Sequence, residues 1–510
     1  MRVRFLTANS QMKTSIDRRA ALVSAALVFA AVAAMVLWVQ LPASRPAPLR
    51  VPGTDRPPGE PIEAAAANPV LRGTVQPGPG QPADIPGWWP QFRGPQRDGF
   101  PEQPGNLLRE WGSQGPRQLW SVALGEGYAG PVVANGRVYL LDYDREKQQD
   151  ALRCLSLADG REIWRFAYPI QVKRNHGMSR TVPAIASNAV VALGPKCHVA
   201  CVDATSGERK WGLDLVRDYG ATVPPWYAGQ CPLIDQGRVI LAPGGPDALL
   251  LALDLETGRE IWKTPNPHDW KMTHVSVMPM EFSGHRMYVY CASAGVVGVS
   301  ATDGAVLWET TDWKISIAAV ASPVPLPDGR VFLSGGYNAG SMLLQLEPVG
   351  DRLNPKVRFR LKPSVFGATQ QTPVYKDGCL IGIRPDEGDL ACLDLDGNVR
   401  WSTGPDAVFG LGPFLVAGDL IYAVDDSGRL SLFQTTPAGA QLLAQAQVID
   451  GREAWAPLAL VNGRLLLRDL TRMLCLEVGS PSSLTTAPTA TPRKAGSALV
   501  VTAPSDTVFP

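Results

Sequence analysis

Short apolar stretches alternate with polar turns throughout residues 88–479, and one phrase recurs among them. A small residue opens an alternating stretch, a turn with glycine follows, and a tryptophan stands four residues after that glycine. The copies are Cys154–Trp164, Cys201–Trp211, Ala252–Trp262, Gly298–Trp308 and the shortened Cys392–Trp401. Alternation with a period of two is typical of half-buried β-strands, so each copy predicts two strands joined by a tight turn.

A second phrase lies between these copies, and it consists of a proline, a few apolar residues, a turn with Gly or Asn, and another apolar strand. Its prolines are spaced by 40 to 52 residues and are Pro131, Pro183, Pro232, Pro279, Pro323, Pro373, Pro413 and Pro457. Four short strands in about 40–50 residues are the signature of a propeller blade. The sequence therefore predicts an all-β fold, an eight-bladed β-propeller over residues 88–479.

The two ends of the repeat array complement each other. The last unit lacks a tryptophan strand, whereas a lone outer-strand phrase begins at Leu119, before the first proline. We expect residues 119–124 to pair with the strand around Leu465–Leu476, which would close the ring and leave no exposed sheet edge.

Both chain ends differ from the propeller in composition. Residues 20–41 form an uncharged apolar run that is long enough to cross a bilayer, and residues 1–19 carry five basic residues against Asp17. The positive-inside rule then predicts a single-pass signal anchor in a bacterial-type cell membrane, with the basic N-terminus in the cytoplasm and the propeller on the extracytoplasmic (periplasmic) side. A cleaved signal peptide is the alternative. Residues 42–87 predict a Pro-rich linker, and residues 480–510 predict a disordered tail.

Composition favours strands and turns over helices. Glycine and proline together make 96 of the 510 residues, about 19% against roughly 12% in average proteins. The net charge of +1 gives no electrostatic reason to expect nucleic acid as a partner. No glycine-rich phosphate loop and no nucleophile elbow stands in the sequence.

The phrase Ala252–Trp262 resembles the tryptophan-docking repeat of propellers of the pyrroloquinoline-quinone (PQQ) type, and Trp88–Pro95 resembles the segment before many such propellers. The resemblance covers roughly residues 88–479. That family includes quinoprotein alcohol dehydrogenases and the non-catalytic BamB-type factor of outer-membrane protein assembly. The resemblance implies the fold and leaves the activity open, because one fold hosts many functions.

The quinoprotein site implied by the resemblance does not transfer to this sequence. In those enzymes a tryptophan and a disulfide of adjacent cysteines sandwich the quinone, beside Ca²⁺ held by Glu and Asn and a catalytic Asp. Here the nearest cysteines are Cys197 and Cys201. We therefore expect a membrane-tethered binding or scaffolding module with no catalytic residue, metal or cofactor, and a protein or small-molecule partner. The sequence does not distinguish such a module from a sugar- or peptide-binding sensor. The alternative from another class is a PQQ-dependent oxidoreductase that uses PQQ and Ca²⁺.

The cysteines fall into two groups. One position of the repeat takes a small side chain so that neighbouring blades pack closely, and there we expect packing roles for Cys154, Cys201, Cys392 and Cys475. Cys197 and Cys231 should lie towards one face of the disc, near His176, His198 and His274. For Cys197 and Cys231 the sequence leaves three alternatives, namely a metal site, a disulfide or two free thiols. The repeat tryptophans Trp164, Trp211, Trp262, Trp308 and Trp401 are expected to be structural.

The connections that lead into the inner strands should converge on the central channel and form a funnel on one face. We expect Arg180 to bind an anionic group, His274 to serve proton or metal chemistry, and Trp226 to stack on a ligand. Polar residues that only hold channel water are the alternative. The candidate ligand-binding residues are Tyr128, His176, Arg180, Thr181, Trp226, Tyr227, Gln230, His274, Gln370, Gln371 and Trp455.

Overall fold

The computed structural model describes residues 67–480 except 113, 316 and 437, together with residues 22, 25, 28–33 and 35. The chain divides into two compact units, Met1–Ala66 and Ala67–Pro510. The described residues of the first unit are helical. Within the described positions, no helix has both the length and the apolar character needed to cross a membrane. The expected anchor at 20–41 lies largely outside these positions, and the expected tail at 480–510 lies outside them apart from Ser480.

Eight antiparallel sheets in the second unit are the blades of a propeller, which confirms the all-β, eight-bladed fold. Blades are numbered along the chain, and strands are given from the channel outward. The strands of blades 1 to 4 are Val132–Ala134, Arg137–Asp144, Gln149–Ser156 and Glu162–Pro169; Ala184–Ala186, Ala189–Leu193, His198–Asp203 and Arg209–Asp214; Leu233–Asp235, Arg238–Leu241, Leu251–Asp254 and Glu260–Lys263; and Met278–Phe282, His285–Ala292, Gly295–Ser300 and Val306–Thr310.

The second half of the ring repeats this plan. The strands of blades 5 to 8 are Val324–Pro325, Arg330–Gly335, Gly340–Val349 and Arg352–Leu361; Val374–Lys376, Cys379–Ile383, Leu390–Asp394 and Val399–Ser402; Phe414–Ala417, Leu420–Val424, Arg429–Thr436 and Gly439–Gln447; and Ala459–Val461, Arg464–Arg468, Arg472–Glu477 and Arg117–Ala123. The remaining elements are a helix at Leu215–Tyr219, 3-10 turns at Pro69–Arg72 and Gly404–Asp406, and short strands at Thr74–Pro77, Trp88–Trp89, Asn106–Leu107 and Gly479–Ser480.

Local sequence explains where the inner strands begin and turn. Most inner strands start directly after the predicted proline, whose ring fixes φ and removes a backbone donor. The inner hairpin of blade 1 turns at Asn135 and Gly136, with φ of 49° and 68°. Two successive residues with positive φ make the tight turn whose twist matches antiparallel strands. The same pattern recurs at Gln236–Gly237 and Asn462–Gly463.

The ring closes with a strand from before the first blade. Arg117–Ala123 pairs antiparallel with Arg472–Glu477, and Trp120 lies opposite Cys475. The expected pairing of residues 119–124 with the last blade is therefore confirmed. The outer edge of blade 8 is a strand that comes from the opposite end of the repeat array.

The repeat phrase builds the contacts between blades. Each small residue lies directly across from its tryptophan, as Cys154 does from Trp164 and Cys201 from Trp211. The tryptophan then lies against the turn glycine of the next blade, so a Cβ added to Gly258 would stand 2.6 Å from the Trp211 ring. The indole of Trp211 also donates to Leu255 O at 2.8 Å. These contacts agree with the expected packing roles of the small residues and the tryptophans.

The packed chain begins before the predicted boundary at residue 88. Val70 is completely buried, and Thr74–Pro77 pairs with the outer strand of blade 1. The carboxamide of Asn68 accepts a hydrogen bond from Val70 N at 3.0 Å and starts the short turn. Part of the expected linker 42–87 is therefore an extra outer strand of blade 1, because two valines among the prolines supply buried apolar surface.

Candidate functional site

A cavity of about 300 Å³ opens where the connections into the inner strands converge. This is the face on which the sequence places the funnel, and the wall takes side chains from connections all around the ring. The predicted residues that line it are Tyr128, His176, Arg180, Trp226, His274, Gln370, Gln371 and Trp455. Their role in binding a ligand stays a prediction.

The lead-in segment, residues 88–100, contributes Phe92 to the cavity wall, a role that the sequence does not predict. Trp88 and Trp89 pair with the inner strand of blade 1. Arg97 donates to Pro232 O at 2.9 Å in blade 3, and Arg93 donates to Pro373 O at 3.0 Å in blade 6. The segment therefore crosses the channel, and Phe92 is part of the cavity wall.

Tyr128 and Trp455 form one aromatic side of the cavity. Their ring centroids lie 5.2 Å apart and the rings are stacked. The Tyr128 hydroxyl donates a short hydrogen bond to the Glu453 carboxylate and accepts one from Gly177 N at 3.2 Å. Burial and the bond to Glu453 raise the Tyr128 pKa, so the phenol stays protonated. The Trp455 indole donates to Asp426 at 2.7 Å, which fixes the orientation of the ring.

Arg180 is the cation on the cavity wall. Its guanidinium lies over the Tyr128 ring at 5.1 Å from the centroid, and one terminal nitrogen donates to Asn175 O at 2.9 Å. Its Nε is buried and has no hydrogen-bond partner. Burial lowers the pKa of Arg180, although Tyr128 and Glu453 oppose that shift. Nη1 has no hydrogen-bond partner among the described residues and Glu453 is engaged by Tyr128, so the guanidinium keeps a donor for an anionic group in the cavity.

His274 lies on the other side of the cavity, with its ring centroid 6.4 Å from that of Trp226. Its Nε2 lies 2.9 Å from Tyr227 O, and a carbonyl only accepts, so Nε2 carries the hydrogen. Burial and the nearby Arg180 lower the His274 pKa to about 4. The imidazole is therefore neutral at pH 7, and its Nδ1 is an acceptor.

Two adjacent glutamines complete the polar part of the wall. The Gln371 amide donates to Leu411 O at 3.1 Å and to Trp455 O at 3.0 Å, which bridges two connections. The wall residues that the sequence does not predict are Phe92, Gly229, Cys231, Ser276, Ala318, Val320, Tyr337, Leu411 and Pro457. Tyr337 belongs to a turn between the second and third strands of blade 5, whereas the predicted funnel consists of connections between blades.

Three predicted residues do not line the cavity. Thr181 is buried and bonds Leu193 O, and Gln230 is completely buried and exchanges hydrogen bonds with Ala242. Both satisfy backbone groups, which is the usual role of buried polar side chains. Tyr227 donates its hydroxyl hydrogen to Lys173 O, and its carbonyl accepts a hydrogen bond from His274. Tyr227 therefore orients His274 without lining the cavity itself.

Of the cysteines and histidines that could have formed a metal site, His176, Cys231 and His274 line the cavity, whereas Cys197 and His198 do not. Cys197 packs against Met272, with 3.9 Å between the sulfurs, whereas Cys231 accepts a hydrogen bond from Val182 N at the cavity. His198 lies 3.6 Å from Asp214 in blade 2. All eight cysteines are free thiols. The described residues contain no group of three or more His, Cys, Asp or Glu that could hold a metal ion.

The cavity wall does not fit the quinoprotein ligand set. Aspartate, glutamate and asparagine are absent from the described lining, and Cys231 is its single thiol. An oxygen-rich Ca²⁺ site needs several such oxygen donors. The geometry thus defines an eight-bladed β-propeller whose channel is crossed by its own lead-in segment and ends in an aromatic cavity.

Comparisons with known proteins agree with this class. A family model described as outer membrane protein assembly factor BamB matches residues 103–222 and 148–347. Quinohemoprotein alcohol dehydrogenase ADH-IIG from Pseudomonas putida is 26% identical over 181 residues, which are 32% of this chain and 24% of that protein. Serine/threonine-protein kinase AfsK from Streptomyces griseus is 31% identical over 169 residues, which are 31% of this chain and 19% of that protein.

A solved structure, a europium-containing methanol dehydrogenase, matches with a TM-score of 0.53 at 13% identity and covers 75% of this chain and 89% of that one. The chain spans only 24% and 19% of the length of the two curated relatives named above. The repeats, the blades and these matches together identify a PQQ-like β-propeller. The likeness to the solved structure concerns the fold alone.

Proposed function

We propose that the chain is a non-catalytic binding module whose ligand enters the central cavity. One observation carries the proposal: a cavity lined by Phe92 and other aromatic side chains also holds Arg180, whose Nη1 has no hydrogen-bond partner among the described residues. A guanidinium nitrogen that faces the cavity without a protein partner can donate a charge-assisted hydrogen bond to an anionic ligand. Ligand sites are usually concave, mostly apolar and supplied with a few convergent polar groups.

The test uses 8-anilinonaphthalene-1-sulfonate, an aromatic monoanion, as the probe for the full-length chain. We expect saturable fluorescence enhancement that weakens about tenfold or more in Arg180→Gln, because hydrogen bonds to charged groups contribute about 1.5–3 kcal/mol. Arg174→Gln is the matched control, since Arg174 stands in the same connection and its side chain pairs with Glu126 at the surface. Equal binding by the wild type and Arg180→Gln would remove the cavity as the ligand site.

We further propose that residues 20–41 anchor this module in a membrane, with the propeller on the extracytoplasmic side. The uncharged apolar run and the five basic residues before it support the proposal. Expressed in a bacterium, the full chain should stay in the membrane pellet after alkaline extraction. Replacing Val28 and Val32 with Arg should release it, because each central arginine costs about 2.5–3.5 kcal/mol on insertion. Release of the wild type would contradict the anchor.

The alternative, a PQQ-dependent dehydrogenase, has no support from the cavity wall. It remains open to a direct check in which PQQ and Ca²⁺ are added to the purified chain. Co-purification of a quinone absorbance band and alcohol-dependent dye reduction would reverse the proposed function.

A further inference from the structure

The cavity wall holds several hydrogen-bonding groups that no neighbouring residue satisfies. Within the described part of the chain, the Gln370 side chain makes no hydrogen bond, and the Gln371 amide oxygen accepts none while its nitrogen is engaged. The Nδ1 of neutral His274 is a further acceptor. The free donors are Arg180 Nη1, the Trp226 indole nitrogen and the Gln370 amide nitrogen. Acceptors therefore make up about half of the groups that a ligand could bind.

This set of groups restricts the chemistry of the ligand. Arg180 calls for an anionic group, and a carboxylate suits the guanidinium geometry. The Glu453 carboxylate lies just behind Tyr128, so a second negative charge on the ligand would meet repulsion. The free acceptors call for hydroxyl donors, which a purely aromatic acid would not supply. A monoanion that carries several hydroxyl groups satisfies all three requirements.

The aromatic walls add a shape requirement. Trp226, Trp455 and Tyr128 present flat apolar surface, against which a ring with one apolar face gains dispersion and area burial. The cavity volume of about 300 Å³ lies at the lower end of the roughly 300–1,000 Å³ common for ligand sites. It therefore suits one ring with its substituents.

We propose that the cavity recognises a monosaccharide acid, that is, a pyranose ring with one carboxylate. The inference rests on the proposed function and specifies the ligand class of the same site. The carboxylate pairs with Arg180, the ring packs on the aromatic wall, and ring hydroxyls donate to His274 Nδ1 and to the glutamine oxygens.

The experiment is a calorimetric titration of the full-length chain with galacturonate and glucuronate, with galactose and glucose as the neutral counterparts. We expect the acids to bind at least tenfold more tightly than the neutral sugars. Arg180→Gln should weaken acid binding about 10- to 100-fold and reduce neutral-sugar binding far less, since the lost contact is a charge-assisted hydrogen bond. Gln370→Ala should weaken both classes. Arg174→Gln should match the wild type.

The outcomes separate this inference from the function on which it rests. If 8-anilinonaphthalene-1-sulfonate binds in an Arg180-dependent manner and no sugar acid displaces it, the ligand class is wrong and the binding module stands. Equal binding of acids and neutral sugars, or displacement of the dye by PQQ alone, would also overturn the ligand class. If neither dye nor sugar acid binds, both proposals fail.

Discussion

Trp120 lies against Gly160 and joins the two ends of the ring. The indole belongs to the outer edge of blade 8, and a Cβ added to Gly160 in blade 1 would stand 2.7 Å from it. The same indole donates to Leu157 O at 3.0 Å. A residue that precedes the first blade in sequence thus supplies a contact between the last blade and the first.

We predict that Gly160→Ala destabilises the propeller by about 2–5 kcal/mol, because overpacking adds about 1–3 kcal/mol to the roughly 1–2 kcal/mol cost of a left-handed backbone. Gly284→Ala is the matched control. Its φ of 79° is close to the 72° of Gly160, and no atom lies within 4 Å of its added Cβ. Chemical denaturation of both variants measures the difference. Equal losses would show that the tryptophan contact contributes nothing.

A second pair of variants tests tryptophan docking inside the ring. Trp262 is buried and donates to Ala301 O at 3.3 Å, whereas Trp401 is only partly buried. Trp262→Ala should cost about 3–5 kcal/mol by the usual range for buried aromatic truncation. Trp401→Ala should cost clearly less, because less of its area leaves water on folding. A larger loss for Trp401 in thermal or denaturant unfolding would contradict this assignment.

Gly229→Ala should weaken binding at the cavity without changing a polar group on its wall. The added Cβ would stand 2.5 Å from His274 Cδ2, so the imidazole would have to move. We expect the affinity for 8-anilinonaphthalene-1-sulfonate to fall several-fold, since small displacements of positioned groups cost binding energy. Gly439→Ala, whose added Cβ meets nothing within 4 Å and whose φ is not positive, is the control for expression and folding. Unchanged dye affinity in Gly229→Ala would place the dye elsewhere.

The lowered pKa of His274 predicts that the protein loses stability in acid. Its folded pKa of about 4 lies below the value of 6.5 for the unfolded chain, so between these pH values the unfolded state binds more protons. Lowering the pH from 6.5 to 4 should therefore cost the wild type up to about 3 kcal/mol, at 1.36 kcal/mol for each pKa unit. The free energy of unfolding of His274→Asn should lack this component.

The comparison with the variant is needed because the contribution of buried Asp150 to stability changes with pH in the opposite direction. Burial raises its pKa to about 7, so its contribution to stability falls as the pH rises towards that value. Asp150 is present in both proteins and cancels in the difference. A stability difference between the wild type and His274→Asn that does not change from pH 7 to pH 4 would contradict the neutral imidazole.

Repeats made much of the fold predictable. The tryptophan phrase and the prolines fixed eight units, and the missing outer strand at the end pointed to the strand that contains Trp120. These inferences worked because strand alternation, turn glycines and close blade packing each leave a local signature. The side of the disc that carries the cavity followed from the same reasoning, since connections into inner strands must converge on the channel.

The contacts that shape the cavity were not readable in the same way. Thr181 and Gln230 look like funnel residues in sequence, yet each satisfies a buried backbone group. The lead-in segment crosses the channel through Arg93 and Arg97, whose partners are carbonyls more than a hundred residues away. Such pairings depend on tertiary placement and leave no periodic signal. The strand Thr74–Pro77 was also not predictable, because it lies in a proline-rich segment without apolar periodicity.

Hydrogen exchange measured by mass spectrometry, with and without 8-anilinonaphthalene-1-sulfonate, tests most directly whether the central cavity is the binding site. Binding at the cavity should slow exchange in the connections that carry its wall, namely residues 174–181, 224–231, 268–277 and 450–457. The outer strands, such as Arg352–Leu361, should exchange at unchanged rates. Protection confined to outer strands, or protection of the connections that persists in Arg180→Gln at the same dye concentration, would contradict the assignment.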